Sequence, residues 1–214
     1  MYKLIKPLLF ALDAEKAHDV SLSFLAGASH STFLTGLLQS CFGNRVPDIP
    51  TRLMGLEFRH PIGLAAGLDK DARAFEAFSA LGFSGVETGT VTPKAQPGND
   101  RPRIFRLLED EAIINRLGFN SSGLESYKAN LKRRRTQSVI GGNVGKNAGT
   151  PIERAYEDYV TSMRQIYKLV DYITINISSP NTKSLRELQN AEHLDDLLLK
   201  IKETQGKLNK VSGR

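Results

Sequence analysis

The stretch from Tyr172 to Thr182 limits the folds open to this chain more than any other. Ile173, Ile175 and Ile177 alternate with Thr174, Asn176 and Ser178, which is the period-two pattern of a pleated strand. Pro180 then removes a backbone donor and keeps the chain extended, so strand pairing ends there. Asn176, Ser178, Ser179, Asn181 and Thr182 crowd the strand's C-terminal end with carboxamides and hydroxyls. Two readings fit. One is a turn capped by Asn and Ser. The other is a substrate site at the end of a barrel strand, where buried amides find their partners in a ligand.

The same order of strand, loop and helix recurs upstream. Leu53 to Phe58 and Ile62 to Ala66 read as short strands around Arg59, His60 and Pro61, with His60 expected as an exposed loop residue. Ala65, Ala66, Gly67, Leu68, Asp69 and Lys70 then form a small-residue loop that lets a planar group approach the backbone. Asp71 is expected to open a helix carrying Phe75, Phe78 and Leu81 on one face, with Gly82 stopping it. A strand follows over Gly85 to Val91, completing a βαβ unit. The loop Thr92 to Pro102 has no periodicity, as functional loops often do. A hairpin, Ile104 to Leu107 with Ala112 to Ile114, delivers Asn115, Arg116, Leu117, Gly118, Phe119 and Asn120. Capping-box patterns at Ser122 to Glu125 and Thr150 to Glu153 predict two further helices, the second running to about Leu169. Between them Val139 to Val144 reads as a core strand ending in Gly145, Lys146 and Asn147. A last helix is expected from about Asn190 to Lys207.

Four β/α units in series, each with its informative loop after the strand, argue for a parallel barrel with its site on the C-terminal face. The fold class is therefore α/β, of the TIM (β/α)8 barrel family, with about the first four β/α units present over residues 46–214. Val211 to Arg214 stand where a fifth strand should begin. Residues 1–45 form an N-terminal helical extension, joined through Val46 to Pro50. Its first segment is strongly apolar beside Lys3 and Lys6, Asp13 can cap a second helix, and a third is expected to end at Gly43. The extension is either a helical cap on the main domain or an amphipathic segment at a membrane surface.

At 214 residues the chain can bury one sizeable core, and its single cysteine, Cys41, excludes an intrachain disulfide. No apolar run reaches the length of a membrane span, and no metal-ligand cluster stands out. The net charge of +6 peaks at Lys132 to Arg135, where a helix should end. Cations there complement a helix dipole, and without interleaved aromatics they do not argue for nucleic-acid binding.

Leu64 to Asp71, Gly89 to Pro93 with Gln96 to Asn99, Asn115 to Asn120 and Asn176 to Asn181 together resemble dihydroorotate dehydrogenase, and the likeness runs the whole chain. The serine at 179 and the N-terminal extension are similar to the quinone-dependent, membrane-associated class; the soluble class uses a cysteine base. The resemblance implies FMN-dependent oxidation of dihydroorotate to orotate in pyrimidine synthesis, with quinone as final acceptor. It implies a flavin site in the loop Ala65, Ala66, Gly67, Leu68, Asp69 and Lys70, with Thr90, Asn143 and Asn176. Orotate would be held by Lys70, Asn115, Asn176 and Asn181, within a substrate segment that includes Arg116, Leu117, Gly118 and Phe119. Ser179 would be the base, aided by Thr182, Phe119 and a water, while His18 and Arg106 would line a quinone tunnel. Such a protein would be a monomer at full length, held peripherally on the cytoplasmic side of the cell membrane if bacterial. The strand-five lysine and the Gly-rich phosphate-binding strand ends of the family's second half have no counterpart in these 214 residues. Two other functions compete. A dihydrouridine synthase, another FMN barrel, would need a catalytic cysteine near the flavin, and Cys41 lies in the wrong region. A non-catalytic fragment would only bind a membrane or partner through the extension.

Overall fold

The computed structural model describes residues 2–182 and 184–213. It opens with three helices, α1 (Tyr2–Ala11), α2 (Ala14–Ser29) and α3 (Thr32–Cys41). Asp13 starts α2 as the sequence predicts: its Oδ1 accepts from the backbone N–H of Glu15 at 3.0 Å and of Lys16 at 3.1 Å. A hairpin follows, β1 (Thr51–Leu53) and β2 (Leu56–Phe58). Met54 and Gly55 both take positive φ there, so the strand expected to run through residue 53 to 58 folds back on itself.

Next come β3 (Gly63–Leu64), α4 (Phe75–Ala80), β4 (Gly85–Val91), and the hairpin β5 (Ile104–Leu107) and β6 (Ala112–Asn115). The chain continues with α5 (Gly123–Leu131), β7 (Val139–Val144), α6 (Ala155–Ile166), β8 (Tyr172–Ile175) and α7 (Ala191–Ser212). β3, β4, β7 and β8 form one parallel sheet in chain order, the arrangement of successive strands in a β/α barrel. The register of β4 on β7 shifts between Thr88 and Val91, which re-aims the end of β4. β7 is buried at every position, and the core runs from Leu22 of α2 through Val86, Ile140 and Tyr159 to Leu197 of α7.

Several local expectations give way to longer-range partners. His60 is buried, not exposed. Its Nδ1 accepts from Ile62 N at 3.3 Å, which leaves Nε2 to donate to the Gly82 carbonyl at 2.8 Å. Asp71 does not open α4. Asp69 braces the turn before it, its carboxylate accepting from the backbone N–H of Arg73 and Ala74 at 2.7 and 2.8 Å, and α4 itself has no side-chain cap. Asp71 instead takes the Ser122 hydroxyl at 2.7 Å and its N–H at 2.9 Å, so Ser122 makes no capping box for α5. The pattern at Thr150 yields a 3-10 turn over Ile152–Arg154 without a side-chain cap, and α6 ends at Ile166, short of Leu169. α7 runs to Ser212, so Val211 is helical and not the start of a strand. The basic run does close α5, and it is partly engaged: Arg134 bonds Asp171 at 2.7 Å and Arg135 bonds the Ser29 carbonyl at 2.6 Å.

Candidate active site at the strand ends

Three loops meet beyond the C-terminal ends of the parallel strands. The loop after β3 is anchored by backbone bonds, Gly67 N to the Gly89 carbonyl at 2.8 Å and Gly89 N to the Asp69 carbonyl at 3.1 Å. Gly89 has φ +107°, and a Cβ there would sit 2.3 Å from the Asn143 carbonyl, so only glycine allows this contact. Gly67 has φ +109°, and a Cβ there would meet nothing within 4 Å. Ala65, Gly67 and Leu68 are exposed and Ala66 is half-buried, leaving a shallow backbone-lined surface. Asp69 points away from it. Burial pushes its carboxyl up to about 6, against the pull of its two backbone donors.

Lys70 is half-buried and its Nζ donates to Asn120 Oδ1. Burial, then repulsion from Arg103, brings its ammonium down to about 8. Across the strand ends a polar network links β4, β7 and the residue after β8. Thr90 Oγ1 donates to Asn143 Oδ1 at 2.6 Å, and Asn176 Nδ2 donates to Thr90 Oγ1 at 2.9 Å. Asn143 Nδ2 donates to Glu87 Oε1 at 2.7 Å, and the Tyr172 hydroxyl donates to Glu87 Oε2 at 2.9 Å. Burial and the neighbouring carboxylate raise the Tyr172 hydroxyl well above its ordinary value.

The third loop carries Ser179, half-buried, whose Oγ accepts from Asn181 N at 3.3 Å. Asn181 Nδ2 reaches the Asn115 carbonyl at 3.4 Å, bringing the β6 segment beside the serine loop. Within that segment Arg116 folds back onto the Pro102 carbonyl at 2.9 Å, and the Leu117 carbonyl accepts from Asn99 N at 3.0 Å. Gly118 and Phe119, both at positive φ, turn the chain inward and bury Phe119. Thr182 is buried, and its Oγ1 has no hydrogen-bond partner among the described residues.

A cavity of about 1150 Å³ lies between the loop after β3, the β6 segment and the extension, and Ser179, Asn143, Asn176 and Asn181 are not among its lining residues. Its lining includes Gly67, Leu68 and Asn115 together with Phe10, His18 and Arg106, and His18 also borders a smaller pocket with Leu68, Lys70 and Asn120. Arg106 is fixed by the Leu12 carbonyl at 2.8 Å and lies 4.6 Å above the Phe10 ring centre. Burial lowers the His18 imidazole, so it favours its neutral form. Among the described residues no group of three or more His, Cys, Asp or Glu could hold a metal, and no helix is long and apolar enough to cross a membrane.

Glu87 and Tyr172 receive no site role from the sequence, and Gln96 and Asn120 enter only as motif positions; all four orient the residues around them. A carboxylate inside the otherwise apolar and hydroxylic strand Gly85 to Val91 was the available signal for Glu87. Gln96 Oε1 accepts from Asn147 Nδ2 at 2.8 Å and its Nε2 donates to the Phe119 carbonyl at 2.9 Å, a link nothing local encodes.

The family profile of dihydroorotate dehydrogenase matches residues 49–210. The chain belongs to the dihydroorotate dehydrogenase family. It is 52% identical over 214 residues to dihydroorotate dehydrogenase (quinone) of Burkholderia pseudomallei, covering 100% of this chain and 61% of that protein. The same identity and coverage hold for the protein of that name from Burkholderia mallei. The chain thus spans 61% of the length of these curated relatives. Among solved structures it is similar to DHODH of Eimeria tenella in complex with ferulenol, with TM-score 0.79 and 38% identity, over 91% of this chain and 52% of that one. Membership of this family places the four-stranded sheet within a TIM-barrel architecture, here as a partial barrel.

Proposed function

We propose that the protein carrying this chain oxidises dihydroorotate to orotate with FMN as cofactor and a quinone as final acceptor, in pyrimidine synthesis. The observation that carries this reading is the single cavity that joins the Gly67–Leu68 loop and Asn115 to His18 and Arg106. A redox enzyme with two partners needs such a path between its substrate loops and a lipophilic acceptor.

The residues present fit the ring end of FMN. The exposed backbone at Gly67 leaves room for a planar group, and Thr90, Asn143 and Asn176 supply hydroxyl and carboxamide partners beside it. When bound, FMN supplies the two-electron acceptor for the hydride leaving substrate C6. Lys70 pairs with the substrate carboxylate, while Asn115, Asn176 and Asn181 satisfy the ring's amide donors and acceptors. Ser179 Oγ takes the C5 proton. The unpartnered Thr182 Oγ1, buried three positions along the same loop, is placed in sequence to pass that proton on. His18 and Arg106, which line the same cavity, bind the quinone.

Peripheral membrane contact through the extension belongs to the same proposal. Leu4 is 80% exposed and Leu8 72%, and Phe24 and Phe33 on α2 and α3 are also largely exposed. A bacterial protein of this kind would lie on the cytoplasmic side of the cell membrane.

Ser179→Ala in the flavin-loaded full-length protein tests the assignment. Anaerobic stopped flow should show flavin reduction by dihydroorotate falling about 10²–10⁴-fold while orotate still binds. A near-normal rate removes the serine as base. A wild-type flavin that dihydroorotate does not bleach removes the activity itself.

A further inference from the structure

Arg103 is 5% exposed and Glu15, in the first turn of α2, is 6% exposed. They lie 88 residues apart in sequence. Arg103 Nη2 donates to Glu15 Oε1 at 2.7 Å, and its Nε lies 3.1 Å from both carboxylate oxygens. The other edge of the guanidinium faces a substrate-side loop. Arg103 Nη1 donates to the carbonyls of Pro97 at 2.6 Å and Asn99 at 2.9 Å. Asn99 carries the connection onward: its Nδ2 donates to the Arg116 carbonyl at 2.9 Å and the Asn181 carbonyl at 3.2 Å. The Arg103 carbonyl accepts from Arg116 N at 2.9 Å. Neither Glu15 nor Arg103 lines the cavity described above.

We propose that Glu15 is a positioning residue for the substrate loops, acting through Arg103 and Asn99 on Asn181 and on Asn115 to Leu117. This inference rests on the dihydroorotate reading for its consequence in catalysis, though not for the mechanical link itself. A buried guanidinium tolerates its site only while its charge is balanced and its N–H groups are engaged. Glu15 supplies that balance from the quinone-side helix. Removing its charge leaves Arg103 drawn toward water, and the carbonyls of Pro97 and Asn99 lose the donor that fixes them. Arg101, which also reaches Glu15 at 2.9 Å, is 63% exposed along its side chain and is itself a cation, so it cannot balance Arg103 once Glu15 is neutral. The extension that holds the quinone path and the loops that hold substrate are thereby kept in one register.

The test uses Glu15→Gln in the flavin-loaded full-length protein, which keeps the side chain's shape and removes its charge. Hydrogen exchange at the amides of Gln96, Asn99 and Arg116 should accelerate about ten- to a hundredfold, with the amides of β7 unchanged. The dihydroorotate KM and the orotate Kd should rise about tenfold, while the limiting rate of flavin reduction stays within about twofold. Glu76→Gln is the control, because Glu76 is also buried but its Oε1 accepts from Arg135 N and Thr136 N, away from these loops. Unchanged loop exchange in Glu15→Gln overturns the proposal, as does an equal rise in KM in both variants. If Glu15→Gln does not fold, exposed Asn99→Ala decides: a raised KM at preserved limiting rate supports the link, and an unchanged KM removes it. A wild-type protein that binds no orotate would sink the dihydroorotate reading alone, since the exchange measurement still reports on the clamp.

Discussion

Lys70 is held where its charge is costly and where an anionic ligand would reward it. Burial brings its ammonium down to about 8 from an ordinary 10.5, and Arg103 adds repulsion. Below about pH 8 the amine is charged and can pair with a substrate carboxylate; above it the free protein holds a neutral amine. If Lys70 pairs with the carboxylate as proposed, the orotate Kd should be flat at low pH and rise about tenfold per pH unit above about 8, until the pKa in the complex, raised by the ligand's charge, is passed. Flavin-monitored titrations of the full-length protein from neutral to alkaline pH check this, and a Kd flat to pH 10 would exclude Lys70 as the carboxylate's partner. The stability sign follows as well. A base whose folded pKa lies below its unfolded value destabilises the fold while it is charged, and that cost fades as pH rises from about 8 toward 10.5. Lys70→Met should raise the Tm at neutral pH, and the gain should vanish near pH 10.5. In the sequence the small residues around Lys70 mark a loop open to a planar group, while its proposed pairing with a carboxylate comes only from the family resemblance. Glu87, Tyr172 and Glu15 are not legible there, because each finds its partner dozens of residues away: 56 for Glu87 with Asn143, 85 for Tyr172 with Glu87, 88 for Glu15 with Arg103.

Elements follow the same division between local and distant causes. α2 starts where Asp13 predicts because cap and helix lie within one turn. β7 is legible because an apolar strand buried on both sides needs no partner to be identified. α4 begins later than predicted and α5 begins where predicted but without its side-chain cap, because Asp71, expected to open α4, is drawn to Ser122, 51 residues on. Of the two readings left open by the extension's sequence, the cap is visible in α2, and the membrane surface stays a proposal for α1. α2 is a cap: Leu22 joins the core, and Ala77 N donates to Ser29 Oγ at 3.0 Å. α1 also presents an unburied apolar side through Leu4 and Leu8, neither of which lines the cavity. Replacing both by lysine should weaken sedimentation with lipid vesicles by about tenfold or more per leucine, on the scale of burying one such side chain. Turnover with long-chain quinones should fall in parallel, and bleaching of the flavin by dihydroorotate should persist. Undiminished vesicle binding would make α1 a structural element only.

At the scale of the molecule, the sheet of β3, β4, β7 and β8 has an order that would let further strands close it, and both its edge strands are short of cover. β3 is exposed or half-buried along its length, and β8 is half-buried at all of its positions although it lies in a parallel sheet. A groove of about 380 Å³ runs beside β8, lined by Leu56, Ile173, Ile175 and Ile201 among others. Apolar edges of this kind seek a partner strand, and chains that expose them associate or aggregate. The donors proposed for the site, Lys70 and the carboxamides at 143, 176 and 181, suit a flavin ring and a planar anion. In barrels of this architecture a cofactor phosphate is held by a helix N-terminus and the loops after the last two of the eight barrel strands, whereas β3, β4, β7 and β8 correspond to the first four. A polypeptide of residues 1–214 alone should therefore bind FMN weakly, emerging from dialysis with far less than one flavin per chain and without dihydroorotate–quinone activity. Absorbance in the flavin band after dialysis, run beside a turnover assay, measures both. Light scattering on the same sample should show association through the sheet edges in place of a monomer. A yellow, active preparation would mean that two copies pairing edge to edge rebuild the phosphate site between them, and that half a barrel is enough.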